Sequence, residues 1–531
     1  MRVLVRCDGG GPIGVGHVIR SLALAEAAVA AGHDVVVAGH FEGPFLQGQL
    51  AAAPVEVVQL ARPMRDGDLQ PVIDLVGRLR PDVLHVDSYG ASDRLGGLGG
   101  LVASAGVEAL VSNVEDGTYG RRPADVVIDP TLGAELSARP DDGSTWLLRG
   151  SRYTPVRQRV MDARQRACDG NVVGEVGQVA RSVLVVMGGT DPVGLAPAAV
   201  ELLARTGLAL DVTAIATGEN AERARAAAEG SRLSLNVLAP VDDLAAMMSG
   251  QDLVISAAGT SVWELCCIGV PMAVVWAVDN QREGYDRVVA AGAAVGLGGP
   301  ELGGDELGGD ELGVGLLRRA LTDSRVRNDL VLAGRQVVDG LGAWRVVRTW
   351  EQALRLGRSD RPGSSNRLRA RPATLQDSRL LWEWRNDPAT RAASRSSAEV
   401  PWDDHLRWLT ESLTRTDRML LVVEESGGTA ASVETVGTVR WDLEREGEWQ
   451  VSITVAPDRR GQSLARPLLR AGEVALSEVA RSSGTDVTAY LAVVHIDNSA
   501  SLRLFETSAY VPDLPPDPQG FMWLRKTARV P

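Results

Sequence analysis

Lysine is nearly missing from this 531-residue chain: Lys526, close to the end, is the single one, and arginine carries the remaining positive charge. That leaves almost no room for lysine Schiff-base chemistry. Cysteine is scarce too. Cys7, Cys168, Cys266 and Cys267 show no CxxC spacing, and the six histidines form no HxxxH or HExxH pair. Neither a disulfide framework nor a metal site is therefore expected, and the thiols suit a reducing compartment. No apolar run reaches the ~18 residues of a membrane span, because Glu264 and several prolines interrupt the best candidates. The opening "MRVLVRCDGG" runs straight into a strand pattern, without the charged-then-apolar order of a signal peptide. A cytoplasmic protein with no membrane partner is expected. An excess of positive charge is lacking as well: the net charge is −13, which argues against nucleic acid as a partner.

What is present is the composition of a folded globular chain, 45% apolar and 23% charged, with length for about three domains. Short apolar runs alternate with alanine- and leucine-rich helical stretches: "VLVR", "VIRSLALAEAAVAAG", "DVVVAG", "VEVVQL", "VLHVD", "EALVSN", "DVVIDP". The series restarts at "SVLVVMGG" and continues through "ALDVTAIATG", "LSLNVLAP", "DLVISAAG" and "PMAVVWAVDN". Apolar strands alternating with helices predict parallel α/β sheets, whose ligands lie beyond the carboxyl ends of the strands. The expected division is a first Rossmann-like domain over 1–165, a second over 166–356, a Gly/Ser/Pro/Arg linker over 357–367 and a separate α/β domain over 368–531. The repeat "ELGGDELGGDELGVG" (301–315) is read as a flexible surface insertion.

In the first half, "GPIGVGHVIR" (11–20) forms a glycine-rich turn between strand and helix. It is not GxGxxG and no GK[ST] follows, so neither a dinucleotide fingerprint nor a P-loop is the natural reading. His17 stands at the helix start, where the dipole disfavours a protonated ring. It suits a general base, or equally a cap or packing residue. In the second half, Gly188, Gly189, Thr190 and Asp191 end a strand where backbone N–H groups suit a diphosphate. The turn Gly259-Thr260-Ser261 precedes Glu264, which is placed either to accept both hydroxyls of a ribose or to face solvent, and a later strand leads into Asn280-Gln281.

"RCDGGGPIGVGHVIRSLALA" resembles the signature of the UDP-sugar hydrolase family of pseudaminic acid biosynthesis. "GGTDP", "SAAGTSVWELCCIGVP…DNQ", "VDSYG" (86–90), "VEDG" (114–117) and "LLRGSRYTPVR" (147–157) are similar to further blocks of that family, in order over roughly residues 1–350. The resemblance implies a GT-B arrangement of two Rossmann-like domains, the nucleotide held mainly by the second, and metal-independent chemistry. It implies His17 as the base that activates water, with Asp8 and Arg6 lining the same pocket. Gly14, Gly16, Arg20 and Tyr89 would lie toward the sugar and Glu264 would hold the ribose of the nucleotide sugar.

In the last domain "EWQVSITVAP" is followed by "DRRGQSLARPLLRAGEVAL", a strand, a turn and a helix whose first N–H groups suit a pyrophosphate. Arg460-Gly461-Gln462-Ser463-Leu464-Ala465 resembles the Q/R-x-x-G-x-G/A motif of the GCN5-related N-acetyltransferases, with Ser463 where the first family glycine belongs. The resemblance implies acetyl-CoA as cosubstrate, held by this turn, by Val455 before it and by Asn498, with Tyr510 as the acid that protonates the departing thiolate. Ser463 is expected to impair that binding, and an inactive scaffold is the alternative. The "RWDLE" strand and the tryptophan-rich first helices are similar to the branch of the family that acetylates a 4-amino sugar nucleotide.

Overall fold

A computed structural model of the chain describes residues 1–64, 69–88, 97–117, 119–170, 179–188, 191, 193–300, 310–356, 368–392, 397–426 and 433–529. The chain divides into two compact units: Met1–Ala134 with Asp142–Ser144 and Leu148–Val347, and Glu135–Asp141 with Thr145–Leu147 and Arg348–Pro531.

The first unit holds two sheets. One comprises β1 (Arg2–Cys7), β2 (Asp34–Gly39), β3 (Glu56–Gln59), β4 (Val83–Asp87), β5 (Leu110–Val114), β6 (Val126–Asp129) and β7 (Trp146–Arg149). Their order is β3-β2-β1-β4-β5-β6-β7, and the pairs from β3 through β6 are parallel. The order reverses between β1 and β4, so their carboxyl ends flank the crevice where such sheets bind ligands. The other sheet comprises β8 (Ser182–Val186), β9 (Leu210–Ile215), β10 (Leu233–Leu238), β11 (Leu253–Ala257), β12 (Met272–Val275) and β13 (Val295–Gly296), ordered β10-β9-β8-β11-β12-β13 and parallel, with its reversal between β8 and β11.

Both faces of the second sheet are covered. Val183 and Val185 of β8 enter one core, and Leu184 and Val186 the other. That is why these strands read as unbroken apolar runs instead of alternating ones. The helix Gln158–Gly170 follows β7, yet its Val160, Ala163 and Ala167 sit in the second sheet's core. The repeat segment ends differently from expectation. Residues 301–309 lie outside the described part, and a helix already runs from Asp310 to Thr322, because Leu317 and Leu321 are buried and Val314 packs on the same core.

The second unit carries β14 (Leu368–Pro372), β15 (Arg418–Ser426), β16 (Val433–Arg445), β17 (Glu448–Val455), β18 (Ala489–His495), β19 (Val511–Leu514) and β20 (Phe521–Thr527), ordered β14-β15-β16-β17-β18-β20-β19. All neighbours are antiparallel except β17 and β18. That parallel pair is registered only over Glu448–Gln450 against Ala489–Leu491, so Val451–Val455 parts from its neighbour. The helix Ala465–Ser482 buries Leu468, Leu469 and Leu476 on this sheet, and the indole of Trp441 donates to the Gly472 carbonyl at 3.2 Å. The chain is α/β throughout: two Rossmann-like parallel sheets followed by a mixed sheet. No helix among the described residues is long and apolar enough to cross a membrane.

Candidate active sites

At the reversal of the first sheet, the helix Gly16–Ala30 begins with His17 one residue in. The imidazole is 8% exposed, and its Nδ1 lies 2.7 Å from Oδ1 of Asp87, the last residue of β4. An ionised carboxylate only accepts, so the shorter Asp87 contact calls for the proton on Nδ1 and leaves Nε2 as the accepting nitrogen, while Arg20 Nη2, a donor, stands 3.1 Å from the same Nδ1. Burial opposes ionisation of Asp87, but Arg20 and His17 beside it hold its carboxyl well below the usual range. Arg20 donates to both Asp87 oxygens at 2.5 and 2.7 Å and to both oxygens of Asp116 at 2.8 and 2.9 Å. Arg20, expected to lie toward the sugar, thus has its guanidinium engaged by two carboxylates.

Asp87 and Asp116 are the residues that motif reading passed over. Their signal is present, because each parallel run that leads to the crevice ends in an acid: "VLHVD", "VSNVED", "VVID". Asp129, at the end of β6, is fully buried, and burial pushes its carboxyl up to about 6.

Asp8 corrects an expectation. Its oxygens accept from Arg6 at 2.7 Å and from the backbone N–H groups of His40 at 2.8 Å and Met64 at 2.9 Å. The carboxylate is thus spent on tying the ends of β1 and β2 to residue 64. Arg6, expected to line the same pocket, is fully buried and donates to Asp8 and to the Cys7 carbonyl. Gly14 has φ +78, a backbone that favours glycine. A Cβ on Gly16 would stand 3.2 Å from Thr260 Cγ2, so this turn meets the second half of the unit at the start of the helix Ser261–Ile268. Tyr89, Gly189 and Thr190 lie outside the described residues.

In the second half, Asp191 is another correction. Its carboxylate accepts from the N–H groups of Leu195 and Ala196, both at 2.9 Å, and so occupies the start of the helix Leu195–Arg205 that a diphosphate would have used. Gly188 keeps an exposed left-handed backbone at φ +80. The start of the helix Ser261–Ile268 has no side-chain cap. Gly259 and Thr260 precede it, and Glu264 sits in its first turn, where burial pushes the carboxyl up to about 7 against the pull of Arg157. Gln281 closes the turn Asp279–Gln281, which contains Asn280, by accepting from Ala277 N–H at 2.9 Å, and its amide lies beside Gly259. Thr260, Ser261, Glu264 and Gln281 are therefore gathered near the His17 turn.

In the second unit, β17 ends at Val455, and the exposed turn through Arg460, Gly461, Gln462 and Ser463 leads into Leu464 and Ala465, which open the helix Ala465–Ser482. No side chain caps that helix, and a Cβ on Gly461 would meet nothing within 4 Å. An anionic pyrophosphate fits such a start. Ser463 adopts φ +58, the glycine-type conformation, so the serine keeps the backbone path it was expected to obstruct. Arg460 is engaged elsewhere, with Asp387 at 2.7 Å and the Thr390 hydroxyl at 2.6 Å, and Gln462 accepts from Arg459 at 2.9 Å. Asn498 caps the helix Ser499–Thr507, accepting from Ser501 N–H at 3.0 Å. Tyr510 is a correction: it is fully buried in the core against Phe505 and donates to Glu473, and burial with that carboxylate raises its hydroxyl well above the ordinary range. A phenol so enclosed is core, not an acid facing a thiolate.

Residues 367–510 match the acetyltransferase (GNAT) domain family. The C-terminal domain is a GNAT acetyltransferase domain. The chain is similar to the uncharacterized protein MJ1062 of Methanocaldococcus jannaschii, 19% identical over 83% of each chain. The chain is also similar to the spore coat polysaccharide biosynthesis protein SpsG of Bacillus subtilis, 26% identical over 42% of this chain and 63% of that one. Among solved structures, MurG of Acinetobacter baumannii aligns with 66% of this chain and 99% of its own at 18% identity and a TM-score of 0.47.

Within the acetyltransferase domain, a serine at positive φ carries strain of about 1–3 kcal/mol. Ser463→Gly is expected to leave the domain's melting temperature unchanged or raised, since glycine's extra freedom in the unfolded chain offsets part of the gain. Ser463→Val, branched at Cβ, is expected to cost about 1–3 kcal/mol. Thermal melts of the two variants beside the parent check both. Among the described residues, no three His, Cys, Asp or Glu side chains are grouped so as to hold a metal ion.

Proposed function

We propose that the chain is a two-activity sugar-nucleotide enzyme. The acetyltransferase domain moves an acetyl group from acetyl-CoA to the amino group of an amino-sugar nucleotide. The N-terminal half hydrolyses the resulting nucleotide-activated acetamido sugar to free sugar and UDP. The observation that carries the hydrolytic reading is the His17–Asp87 hydrogen bond of 2.7 Å at the reversal of the first sheet. A neutral imidazole oriented by a carboxylate is the arrangement a general base needs.

In the hydrolytic step, a water oxygen attacks the anomeric carbon and inverts it. Its proton passes to His17 Nε2, the bond from the anomeric carbon to the phosphate oxygen breaks, and that electron pair leaves on UDP. Asp87 then faces an imidazolium and offsets its charge. The leaving diphosphate lies at the uncapped start of the helix Ser261–Ile268, whose amides favour developing negative charge. In the transfer step, the amine nitrogen attacks the thioester carbonyl, the carbon–sulfur bond breaks, and CoA leaves as the thiol after taking the amine's proton. The amides at the start of the helix Ala465–Ser482 would hold the CoA pyrophosphate, and the gap beyond Gln450 between β17 and β18 would take its extended arm. One chain bearing both activities raises the concentration of the first product near the second site. SpsG, named for polysaccharide biosynthesis, supports a sugar substrate.

The deciding experiment incubates the protein with UDP-activated 4-amino and 4-acetamido sugars, with and without acetyl-CoA, and identifies products by mass. UDP formed from an acetamido sugar with no acceptor but water supports hydrolysis. UDP formed only when an alcohol acceptor is added assigns a glycosyltransferase instead, and an absence of both CoA release and acetylated product with every amino sugar supplied overturns the acetyl-transfer half.

Glu264 gives the nucleotide site a pH signature. Its carboxyl, raised to about 7, is protonated below that pH in the free protein, whereas accepting two ribose hydroxyls needs the ionised form. UDP affinity is therefore expected to fall by up to about 30-fold between about pH 8.5 and pH 5.5. Calorimetry in buffers of differing ionisation heat would show proton release on binding at the low end. Glu264→Gln is expected to bind more weakly and to lose that dependence.

A further inference from the structure

With His17 taken as the base, we propose that Arg20 is a positioning residue: by bridging Asp87 and Asp116 it fixes the carboxylate that orients His17, and ties the imidazole to the loop that meets the nucleotide-binding half. His17 and Arg20 are three residues apart on one helix, so both side chains reach the same carboxylate from a single face. The guanidinium grips Asp87 through Nε at 2.5 Å and Nη2 at 2.7 Å, while Nη1 meets both Asp116 oxygens. The two-nitrogen fork on Asp87, with Nη1 anchored between the two oxygens of Asp116, sets the plane of the guanidinium, and so the place of Asp87. The Arg20 side chain is 13% exposed and that of Asp87 1%, so solvent screens the fork little.

The second carboxylate gives the bridge its direction. Asp116 follows β5, and a Cβ on its neighbour Gly117 would stand 3.9 Å from Glu283 Oε2. Glu283 lies on the helix Arg282–Ala290, which directly follows the turn Asp279–Gln281, and Arg287 of that helix donates to the Leu132 carbonyl at 2.5 Å. Contacts thus run from the turn beside Gly259, through this helix and the Asp116 loop, to Arg20, Asp87 and His17. Sequence reading placed Arg20 toward the sugar; a guanidinium spent on two carboxylates acts through His17 instead.

The test uses the full-length protein with Arg20→Lys, Arg20→Met, Asp116→Asn and the double variant Arg20→Met/Asp116→Asn. Lysine supplies charge but no fork, so R20K is expected to lower kcat about tenfold and R20M about a hundredfold, with KM and UDP affinity within about threefold of the parent. D116N is expected to lose about three- to tenfold in kcat, and the double variant to be no worse than R20M, as for two members of one bridge. A rise in KM or a loss of UDP affinity at unchanged kcat overturns the proposal in favour of a ligand contact, as do single effects that multiply in the double variant. Nitrogen-15 NMR of the His17 ring in the ligand-free protein supplies a readout independent of turnover. The parent is expected to carry its proton on Nδ1 and R20M to show a mixture of tautomers; the same single tautomer in both overturns the proposal. If the parent hydrolyses no sugar nucleotide, the hydrolytic reading fails while the ring spectra still decide the role of Arg20. D116N, altered at a carboxylate whose side chain is 28% exposed, keeps the test open if R20M fails to fold.

Discussion

Replacing His17 with alanine is expected to lower sugar-nucleotide hydrolysis by about 10²- to 10⁴-fold, with KM and UDP affinity little changed. The imidazole contributes only once the water proton begins to move, so its loss falls on kcat. In the proposed function UDP is held by the other half of the unit, near Thr260 and Glu264, and not by the ring. The fold should tolerate the change, since the Asp87 carboxylate keeps both contacts from Arg20. Steady-state kinetics beside UDP calorimetry checks this, and acetyl transfer by the same preparation serves as the internal control. Hydrolysis that proceeds at the parental rate in His17→Ala would remove His17 from the mechanism.

Asp87→Asn is expected to come close to the same loss, about 10²- to 10⁴-fold in kcat, although the side chain keeps its shape. The carboxylate only accepts, and so demands the proton on Nδ1. An asparagine amide can turn its NH2 toward Nδ1, which then accepts, and the ring proton moves to Nε2. That leaves no lone pair for the water proton. The amide also gives up the negative charge that faces both Arg20 and the imidazolium. Kinetics combined with ring NMR separates this from simple unfolding: a folded variant with the proton on Nε2 and low kcat is the expected result, and full activity in such a variant would show that the tautomer is irrelevant.

Much of the fold was legible in the sequence for a definite reason. Strands buried on both faces cannot alternate, so "VLVR", "VLHVD" and "SVLVVMGG" stand out as apolar runs, and they became β1, β4 and β8. The short β7 and β13 were not legible as strands, the latter being a pair of residues whose pairing depends on its neighbour β12. The start of the helix Asp310–Thr322 was hidden because glycine and acid dominate its first turns, while the contacts that stabilise it come from the core of the second sheet.

Of the candidate sites, local motifs found the turns but misjudged several side chains in them. Asp8, Asp191 and Tyr510 all stand in or beside segments with ligand-binding character, yet each is spent inside the protein: on the N–H groups of His40 and Met64, on the start of a helix, and on Glu473 in a core. Spacing reports which residues are near a turn, not which way a carboxylate faces. Asp87 is the converse case: it ends a run that the sequence shows, but its partner His17 lies 70 positions away and no local pattern pairs the two.

By itself, the sequence determined the α/β class, the order of two parallel series and a third domain, the glycine turns, and His17 at a helix start. These follow from periodicity and backbone freedom, which act over a few residues. Only the tertiary structure decided that Asp87 orients His17, that Arg20 spans two carboxylates and that Gly16 meets Thr260. Such partners are set by the reversal of strand order between β1 and β4 and by the approach of one half of the unit to the other, distances that the chain closes only when it folds.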